Sequence, residues 1–484
     1  MAYRKDWFLA VVLGLSIPFA VIALDGMETK LLVFALLLMV IFCVIAPLKN
    51  KEQLFLYLFA LVLCVKLEKN FFISEKYLQL STTSAGFGIA LSDIFLAFLY
   101  FFWWRRSWRS SSRLDRRLII FFAVYMAFLA LIFVSLANSE SLILSLYEFK
   151  KRAQVLFILI YISMNVRSLA QIKGVVMMLF AGIILSSSVA LLQYKTGGNL
   201  GLRFLGEADT FYNQGLEGSS EVIRRVSGLM PHSNSFGMYL CLLLPIAISL
   251  SLSNIEKKVK YISFLAATAG LLGLTLSFSR AAIIGFVLAM ILLMILRFKS
   301  IFSSGNRIQI LLYGVILTMG LSVFIGKIIG RFTSTTAMNM DARYMLNEAA
   351  FRMIGAHPFA GIGLNNFGPK LDFYDVHGIT QFARYPAHNI YLLIAAETGF
   401  ISMCVFVSFI VMVVVAGMRA GVSSGDHFIR AFATGASCGI LAVMLQGMVD
   451  FSMLVPVFYV LFFVICALIL AARYTVETPG AAHV

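Results

Sequence analysis

The stretch from Tyr385 to Phe400, YPAHNIYLLIAAETGF, places groups that could do chemistry at the entrance to a long apolar run. The imidazole of His388 has an unperturbed pKa of about 6.5, so it can accept a proton near neutral pH, although a histidine satisfied by interfacial water would look the same. Glu397 lies on the opposite face of a straight helix, so the spacing does not imply a direct relay between the two groups. We expect Glu397 to face a neighbouring helix or to support an irregularity near Gly399.

Arginines mark further segments that approach the membrane. In RRVSGLMPHSNSFGMYL, Arg225 precedes a PHSN turn whose Ser233 or Asn234 is suited to cap the next helix and leave N–H groups for an anion. Arg280, in LTLSFSRAAIIGF, lies between two apolar helices with almost no loop, so its guanidinium is expected near the outer interface. An arginine that only ends a helix by snorkelling would give the same pattern.

The segment DARYMLNEAAFRMIGAHPFAGIGLNNF combines a helix with a turn. Residues 341–355 have helical composition, and Glu348 and Arg352 have the i, i+4 spacing of an ion pair. We therefore interpret Arg352 as the structural arginine of this helix and Arg343 as the one available to a ligand. The proline and glycines of the second half predict a turn that returns the chain toward the membrane, with His357 as a turn residue.

The composition restricts the class of protein. Of 484 residues, 61% are hydrophobic and 13% are charged, which excludes soluble globular and disordered proteins. Unpaired backbone groups cannot face lipid, so the long apolar runs must be helices. The expected fold is an all-α polytopic transmembrane helical bundle of about 12–14 spans. The predicted spans are residues 7–24, 31–48, 53–65, 90–104, 118–136, 153–165, 174–193, 234–252, 261–278, 281–297, 308–326, 389–417, 431–449 and 455–472.

Charge predicts the orientation of these spans. With the N-terminus inside, the short inner connections include the arginine-rich segment 105–117, as the positive-inside tendency requires. Three long connections then lie outside, at 66–89, 194–233 and 327–388, and both chain ends are expected in the cytoplasm. Part of the net charge of +16 lies in these outer connections, which favours a phosphate-bearing lipid as partner. Nucleic acid is not an expected partner, because no soluble domain offers a binding face.

Together the motifs resemble the O-antigen ligase and O-antigen polymerase superfamily, the Wzy_C domain of WaaL and Wzy proteins. HNIYLLIAAETG is similar to its HNxYLxxxxExG signature, and RYMLNEAAFRMIGAHPFAGIGLNNF to its arginine helix followed by P-x-x-G-x-G-x-x-x-F. LSFSRAA resembles its S-x-S-R segment, and GLMPHSNSFGMYL matches a further stretch more loosely. The resemblance covers about residues 225–400, whereas the spans before residue 200 share only a compatible hydropathy.

The resemblance implies a GT-C-like, metal-independent glycosyltransferase of the bacterial inner membrane, without a cofactor and with its active site facing the periplasm. Its donor would be a glycan on undecaprenyl diphosphate and its acceptor another glycan or lipid A-core, with membrane lipids and a chain-length regulator as further candidate partners. His388 would be the catalytic histidine. The substrate-binding residues would be Arg280, Arg343, Arg225, Asn389, Tyr391 and Asn234, with Glu397, Arg352 and Glu348 in supporting roles.

The sequence predicts three regions. Residues 1–200 hold N-terminal transmembrane helices, and residues 201–420 hold the catalytic region, which includes a large, partly helical periplasmic loop at 327–388. Residues 421–484 hold C-terminal transmembrane helices and a short cytoplasmic tail.

Several functions stay open at this level. A polymerase and a ligase need the same histidine and arginines and differ in their acceptor, and about fourteen spans slightly favour a polymerase. A polysaccharide or ion transporter would also be a helical bundle, with Glu397 and Asp93 as its suggestive groups and no internal repeat in its favour. A purely structural membrane partner would not need a histidine and arginines around one outer cavity.

Overall fold

The computed structural model describes residues 50–73, 86–107, 116–208, 212–215, 222–315, 318, 326, 337–381 and 385–477. The chain divides into two compact units, Met1–Tyr57 and Leu58–Val484. The first unit is described only over its last residues, 50–57. The architecture that follows is that of the second unit.

Helices dominate the described residues, and the strands among them form two antiparallel pairs. β1 (Glu68–Phe71) pairs with β2 (Phe87–Ala90), and β3 (Tyr212–Gly215) pairs with β4 (Val222–Arg225). Both pairs lie in connections that the sequence predicts outside the membrane. The helices are α1 (Lys51–Val62), α2 (Leu91–Ser107), α3 (Arg116–Ser135), α4 (Leu142–Asn165), α5 (Leu169–Thr196), α6 (Ser233–Ser251), α7 (Lys257–Ser277), α8 (Arg280–Ile301), α9 (Ala337–Ala356), α10 (Phe367–Lys370), α11 (Ile390–Thr398), α12 (Phe400–Ser423), α13 (His427–Gln446) and α14 (Pro456–Glu477).

Among the described residues, eight helices are long and apolar enough to cross a membrane, namely α3, α5, α6, α7, α8, α12, α13 and α14. The predicted all-α polytopic fold is confirmed, and the chain is a multi-pass membrane protein. The predicted spans 7–24 and 31–48 lie outside the described residues, as do residues 316–317 and 319–325 of the predicted span 308–326. The total of about 12–14 spans therefore stays a prediction.

Small residues let α6 and α13 pack backbone against backbone. A Cβ added at Gly439 would lie 2.1 Å from the carbonyl oxygen of Leu242. Two turns away, the Ser249 hydroxyl donates to the carbonyl of Ala431 at 2.7 Å. The two contacts run in opposite directions along the chain, so α6 and α13 are antiparallel, and such close approach is typical of small-residue interfaces in membranes.

The helix α4 is longer than the sequence indicated. The predicted span 153–165 left out the first half of α4, because that half carries charged residues. Two of these, Glu148 and Arg152, form a buried ion pair, and the Arg152 guanidinium lies 4.0 Å from the ring centroid of Tyr459 on α14. The predicted boundary was wrong because pairing and an aromatic cover make these charges tolerable inside the protein.

The single span predicted over 389–417 is also wrong, since the chain breaks there into α11 and α12. The break is at Gly399, which has a φ of 93°. A Cβ at this position would lie 2.0 Å from the carbonyl oxygen of Phe359, in the turn that follows α9. Glycine is therefore required both by the backbone conformation and by the close approach of the turn.

The contact between α6 and α13 generates a stability prediction. Gly439→Ala is expected to lower the free energy of unfolding by about 1–3 kcal/mol, because its methyl group has no room beside Leu242. Thermal unfolding of the purified protein in detergent measures the change. Gly425→Ala is the matched control, because nothing lies within 4 Å of a Cβ at Gly425. Equal melting temperatures for both variants would contradict the packing described here.

Candidate functional site

Four of the predicted residues come from four separate segments. Arg225 ends β4, Arg280 begins α8, Arg343 lies in α9, and His388 lies just before α11. Arg343 interacts electrostatically with both Arg280 and His388. Arg225 and His388 both interact with His232, at the start of α6. The structure therefore brings these side chains together at one end of the bundle, where α6, α8 and α11 begin.

A hydrogen-bonded chain fixes Arg225. Its Nε donates to the carbonyl of Ser277 at 3.3 Å, and its Nη2 donates to Oδ1 of Asn234 at 2.6 Å. Asn234 Nδ2 in turn donates to Oδ2 of Asp450 at 2.8 Å, and the backbone N–H of Ser452 donates to Oδ1 of Asp450 at 2.6 Å. Arg225 thus contributes positive charge, and two of its hydrogen bonds connect the end of α7 to the start of α6. Asn234 is the middle of this chain.

His232, rather than Ser233 or Asn234, caps α6. Its Nδ1 accepts from the backbone N–H of Asn234 at 3.0 Å, so the predicted cap was displaced by one or two residues. A ring nitrogen can fill the place of a serine or asparagine oxygen when the preceding backbone is extended, as it is here. Burial and the charge of Arg225 lower the pKa of His232 to about 4, which keeps the acceptor nitrogen unprotonated near neutral pH.

His388 lies in a half-buried position between opposing charges. Its ring packs edge-on against Phe451, with 5.2 Å between the ring centroids. Burial and the nearby Arg343 lower the pKa of His388, while Asp450 and the carbonyl of Pro386 oppose this shift. The imidazole is therefore neutral near pH 7 and able to accept a proton.

Asn389 and Tyr391 hold the histidine in place. Oδ1 of Asn389 caps α11 by accepting from the N–H groups of Tyr391 at 2.9 Å and Leu392 at 3.2 Å. The Tyr391 hydroxyl donates to the carbonyl of Met444 at 2.8 Å, near the end of α13. These contacts orient the backbone beside His388, and the predicted contacts of both side chains with a sugar stay proposals.

A tight corner sets the position of Arg280. Two residues separate α7 from α8, and the first of them, Phe278, has a φ of 48° in the left-handed region. Its buried ring and the N–H of Ser279, which donates to Oγ of Ser277 at 3.2 Å, stabilise this uncommon conformation. The S-x-S-R segment is thus a structural corner that places the guanidinium at the first position of α8.

The helix predicted over 341–355 is present as α9. The predicted pair is also formed, with Nη2 of Arg352 2.8 Å from Oε1 of Glu348. His377 Nε2 contacts the other oxygen of Glu348 at 2.8 Å. Arg343 has no hydrogen bond or ion pair to a described residue. Its positive charge acts on two groups of the site, because it lowers the pKa of both Arg280 and His388.

Glu397 fastens the turn that follows α9 to the break before α12. Its Oε1 accepts from the backbone N–H of Phe367 at 3.2 Å, and its carbonyl accepts from the N–H of Gly363 at 3.0 Å. The N–H of Phe400 donates to the carbonyl of Pro358 at 2.8 Å. The glutamate therefore supports the irregularity and does not approach His388.

The ends of α6, α8 and α11 give this site a preference for anions. The start of a helix carries the positive end of the helix dipole, also where side chains cap backbone N–H groups, as they do at α6 and α11. Arginines beside such termini add forked, charged donors that match phosphate oxygens. The arrangement can bind a phosphate-bearing group next to a neutral imidazole.

Five of the twelve buried polar side-chain atoms without a partner among the described residues belong to residues at or near this end of the bundle. They are Nδ1 of His388, Oδ1 of Asn347, Oγ of Ser233 and both amide atoms of Gln446. Each such atom costs about 1–3 kcal/mol relative to a paired one. A polar ligand bound beside the arginines would supply partners for such atoms.

Residues 263–407 match the family model described as O-antigen ligase, Wzy_C. This segment is similar to O-antigen ligase domains. It covers less than a third of the chain, and it supports the resemblance to the O-antigen ligase and polymerase superfamily. No curated protein matches the chain.

The Wzy_C segment includes part of the site. Arg280, Arg343 and His388 lie inside it, whereas Arg225 and Asp450 lie outside. A strand before the matched segment and a loop after it therefore contribute to the site. The predicted region boundaries at 200 and 420 stay predictions.

Sequence reasoning missed three residues of the site. His232 was visible in PHSN but was given no role, and Asp450 follows a predicted span directly, where a carboxylate is costly. Gln446 lies inside that span and gave no signal. Among the described residues, no group of three or more His, Cys, Asp or Glu could hold a metal ion, and metal independence stays a prediction.

The position of Glu397 generates a prediction that compares two substitutions. Glu397→Ala leaves the N–H of Phe367 buried and unpaired, so we expect the free energy of unfolding to fall by about 1–3 kcal/mol. Glu397→Gln keeps an oxygen acceptor and should cost less. Thermal unfolding of both variants tests the difference, and a glutamine variant as unstable as the alanine variant would refute this role.

Proposed function

We propose that the protein transfers glycan from an undecaprenyl-diphosphate-linked donor to an acceptor hydroxyl at the periplasmic face of the bacterial inner membrane. The observation that carries the proposal is the meeting of Arg280, Arg343 and His388 at the starts of α8 and α11. The Wzy_C match supports this general reaction class.

The distribution of charge supports a periplasmic site. The helices that begin or end at the site have their other ends at connections rich in lysine and arginine, which the positive-inside tendency assigns to the cytoplasm. These basic residues are Lys257, Lys258, Lys299, Arg307, Arg419 and Arg430.

The arginines would bind the diphosphate of the donor. Arg280 and Arg343 lie close enough to repel each other, and an anion between them replaces that repulsion by attraction. The same contacts strengthen as negative charge develops on the leaving diphosphate, which is the condition for lowering the barrier. Arg225, held by Ser277 and Asn234, adds charge at a fixed position.

His388 would act as the general base. The acceptor hydroxyl gives its proton to the imidazole while its oxygen forms a bond to the anomeric carbon of the donor sugar. The bond from that carbon to the diphosphate oxygen breaks, and undecaprenyl diphosphate leaves with the electron pair. The imidazolium that results is stabilised by Asp450, whose charge already favours the protonated ring.

The structure gives no support to the transporter alternative. Its two suggestive carboxylates both serve packing: Asp93 accepts from Lys150 and Gln154, each at 2.6 Å, and Glu397 fastens a turn. Polymerase and ligase remain the two forms of the proposed enzyme. They share the donor site and differ in the acceptor.

Reconstitution in liposomes tests the proposed function. With undecaprenyl-diphosphate-linked repeat units alone, a polymerase extends the glycan, whereas a ligase transfers it only when lipid A-core is added. His388→Ala is expected to lower either rate by about 100- to 10,000-fold, because the proton acceptor is lost. Gel analysis of the labelled glycan measures the rate.

His357→Ala is the matched control, since His357 lies in the turn after α9 and should leave the rate near that of the parent protein. A His388→Ala protein that folds and transfers glycan at the parent rate would reject the enzymatic role of the histidine.

The pH profile provides a further prediction. Because the pKa of His388 lies below its ordinary 6.5, kcat/KM should stay high at neutral pH and fall as the pH drops through that lowered value. Arg343→Gln removes a cation that disfavours the imidazolium, so the acidic limb should move to higher pH. Asp450→Asn removes the opposing anion and should move the limb to lower pH. If the acidic limb moved in the same direction in both variants, His388 would not be the group that titrates, whatever the absolute rates.

A further inference from the structure

Gln446, the last residue of α13, is buried with neither amide atom paired. Its exposed fraction is 1%, and both Oε1 and Nε2 have no hydrogen-bond partner among the described residues. A carboxamide is a strong donor and acceptor, so such burial is unfavourable unless a partner arrives. An apolar side chain of similar size would fill the same space without this cost.

The helix register places Gln446 at the level of the site. On α8, a Cβ at Gly285 would lie 3.0 Å from the carbonyl oxygen of Ala442, and α8 and α13 run in opposite directions. One turn further along α13 is Gln446, and one turn back along α8 is Ala281, next to Arg280. The amide therefore lies at the depth where α8 begins.

The contacts between α13 and α6 independently place Gln446 at the same depth. Its pairing of Leu242 with Gly439 and of Ser249 with Ala431 places Gln446 opposite the first turn of α6. That turn holds Ser233, whose buried hydroxyl also has no partner among the described residues. The helix α11 borders Gln446 on a third side, since the N–H of Ile390 donates to the carbonyl of Gly447, the next residue, at 2.9 Å.

The chemistry of the Gln446 amide indicates which part of the donor it would bind. A diphosphate oxygen only accepts hydrogen bonds, so it would leave Oε1 of Gln446 unpaired. A sugar hydroxyl or an acetamido group both donates and accepts, and it would satisfy both amide atoms together. In the ligand-free arrangement both atoms are covered, so the sugar must enter with a local movement of the surrounding side chains.

We infer that Gln446 and Ser233 form a subsite for the sugar unit attached to the diphosphate, recognised through a hydroxyl or acetamido group beside Arg280. The inference rests on the proposed function. It assigns the diphosphate to the arginines and the adjoining sugar to neutral, hydrogen-bonding side chains from α6 and α13.

Two ligands test this division in the full-length protein. Gln446→Leu should weaken binding of glycan-bearing undecaprenyl diphosphate, extracted from the source bacterium, by about 10- to 100-fold. It should leave the binding of undecaprenyl diphosphate without sugar unchanged. Arg280→Gln should weaken both. Microscale thermophoresis in nanodiscs measures the dissociation constants, and glycan transfer should fall in parallel with the first of them.

Folding is checked with matched variants. Gln446→Leu should not lower the melting temperature of the ligand-free protein, because no described hydrogen bond is lost. Gln446→Met serves as a second apolar variant if leucine does not fit. Gln309→Leu is the control, since Oε1 of Gln309 is likewise unpaired but belongs to residues 307–315, near the opposite end of α6.

The outcomes separate the inference from the proposed function. The inference fails if Gln446→Leu and Gln446→Met bind and transfer glycan as the parent does. It also fails if both variants weaken the binding of undecaprenyl diphosphate without sugar as much as they weaken the binding of the glycan-bearing lipid. Either result leaves the proposed function standing as long as His388→Ala is inactive. A parent protein that transfers no glycan in liposomes, with or without lipid A-core, would instead remove the proposed function itself.

Discussion

The site depends on holding like charges close together. Arg343 repels both Arg280 and the protonated form of His388, and Arg225 adds to the same field. The fold tolerates this repulsion because Arg225 is fixed by a carbonyl and by Asn234, which connects it to Asp450. The repulsion has two effects, since it favours an anion between the arginines and keeps the imidazole unprotonated.

The helical frame makes this concentration of charge possible. Backbone contacts at Gly439 bring α13 against α6, and the corner at Phe278 turns the chain within two residues, so that helix starts cluster at one end. Each start adds the positive end of a dipole. The position of the cations therefore follows from where the helices begin.

The sequence predicted the elements that follow from hydrophobicity and spacing. Long apolar runs, the pair of Glu348 and Arg352 and the meeting of Arg280, Arg343 and His388 are all present in the structure. It did not predict features that depend on a distant partner. The start of α4 is stable because Tyr459 covers its charges. A histidine caps α6, while the side chain of Asn234 is engaged by Arg225 and Asp450. Gln446 could not be found from its neighbours in sequence, since its significance lies in the absence of a partner among the described residues.

The histidine loop is tied to α13 at two points, by Ile390 to Gly447 and by Tyr391 to Met444. The other end of α11 is bonded to the turn after α9, where the N–H groups of Ile362 and Gly363 donate to the carbonyls of Ala396 and Glu397. The short helix behind the imidazole therefore bridges α13 and the α9 turn, so both elements fix the position of the imidazole relative to Arg343.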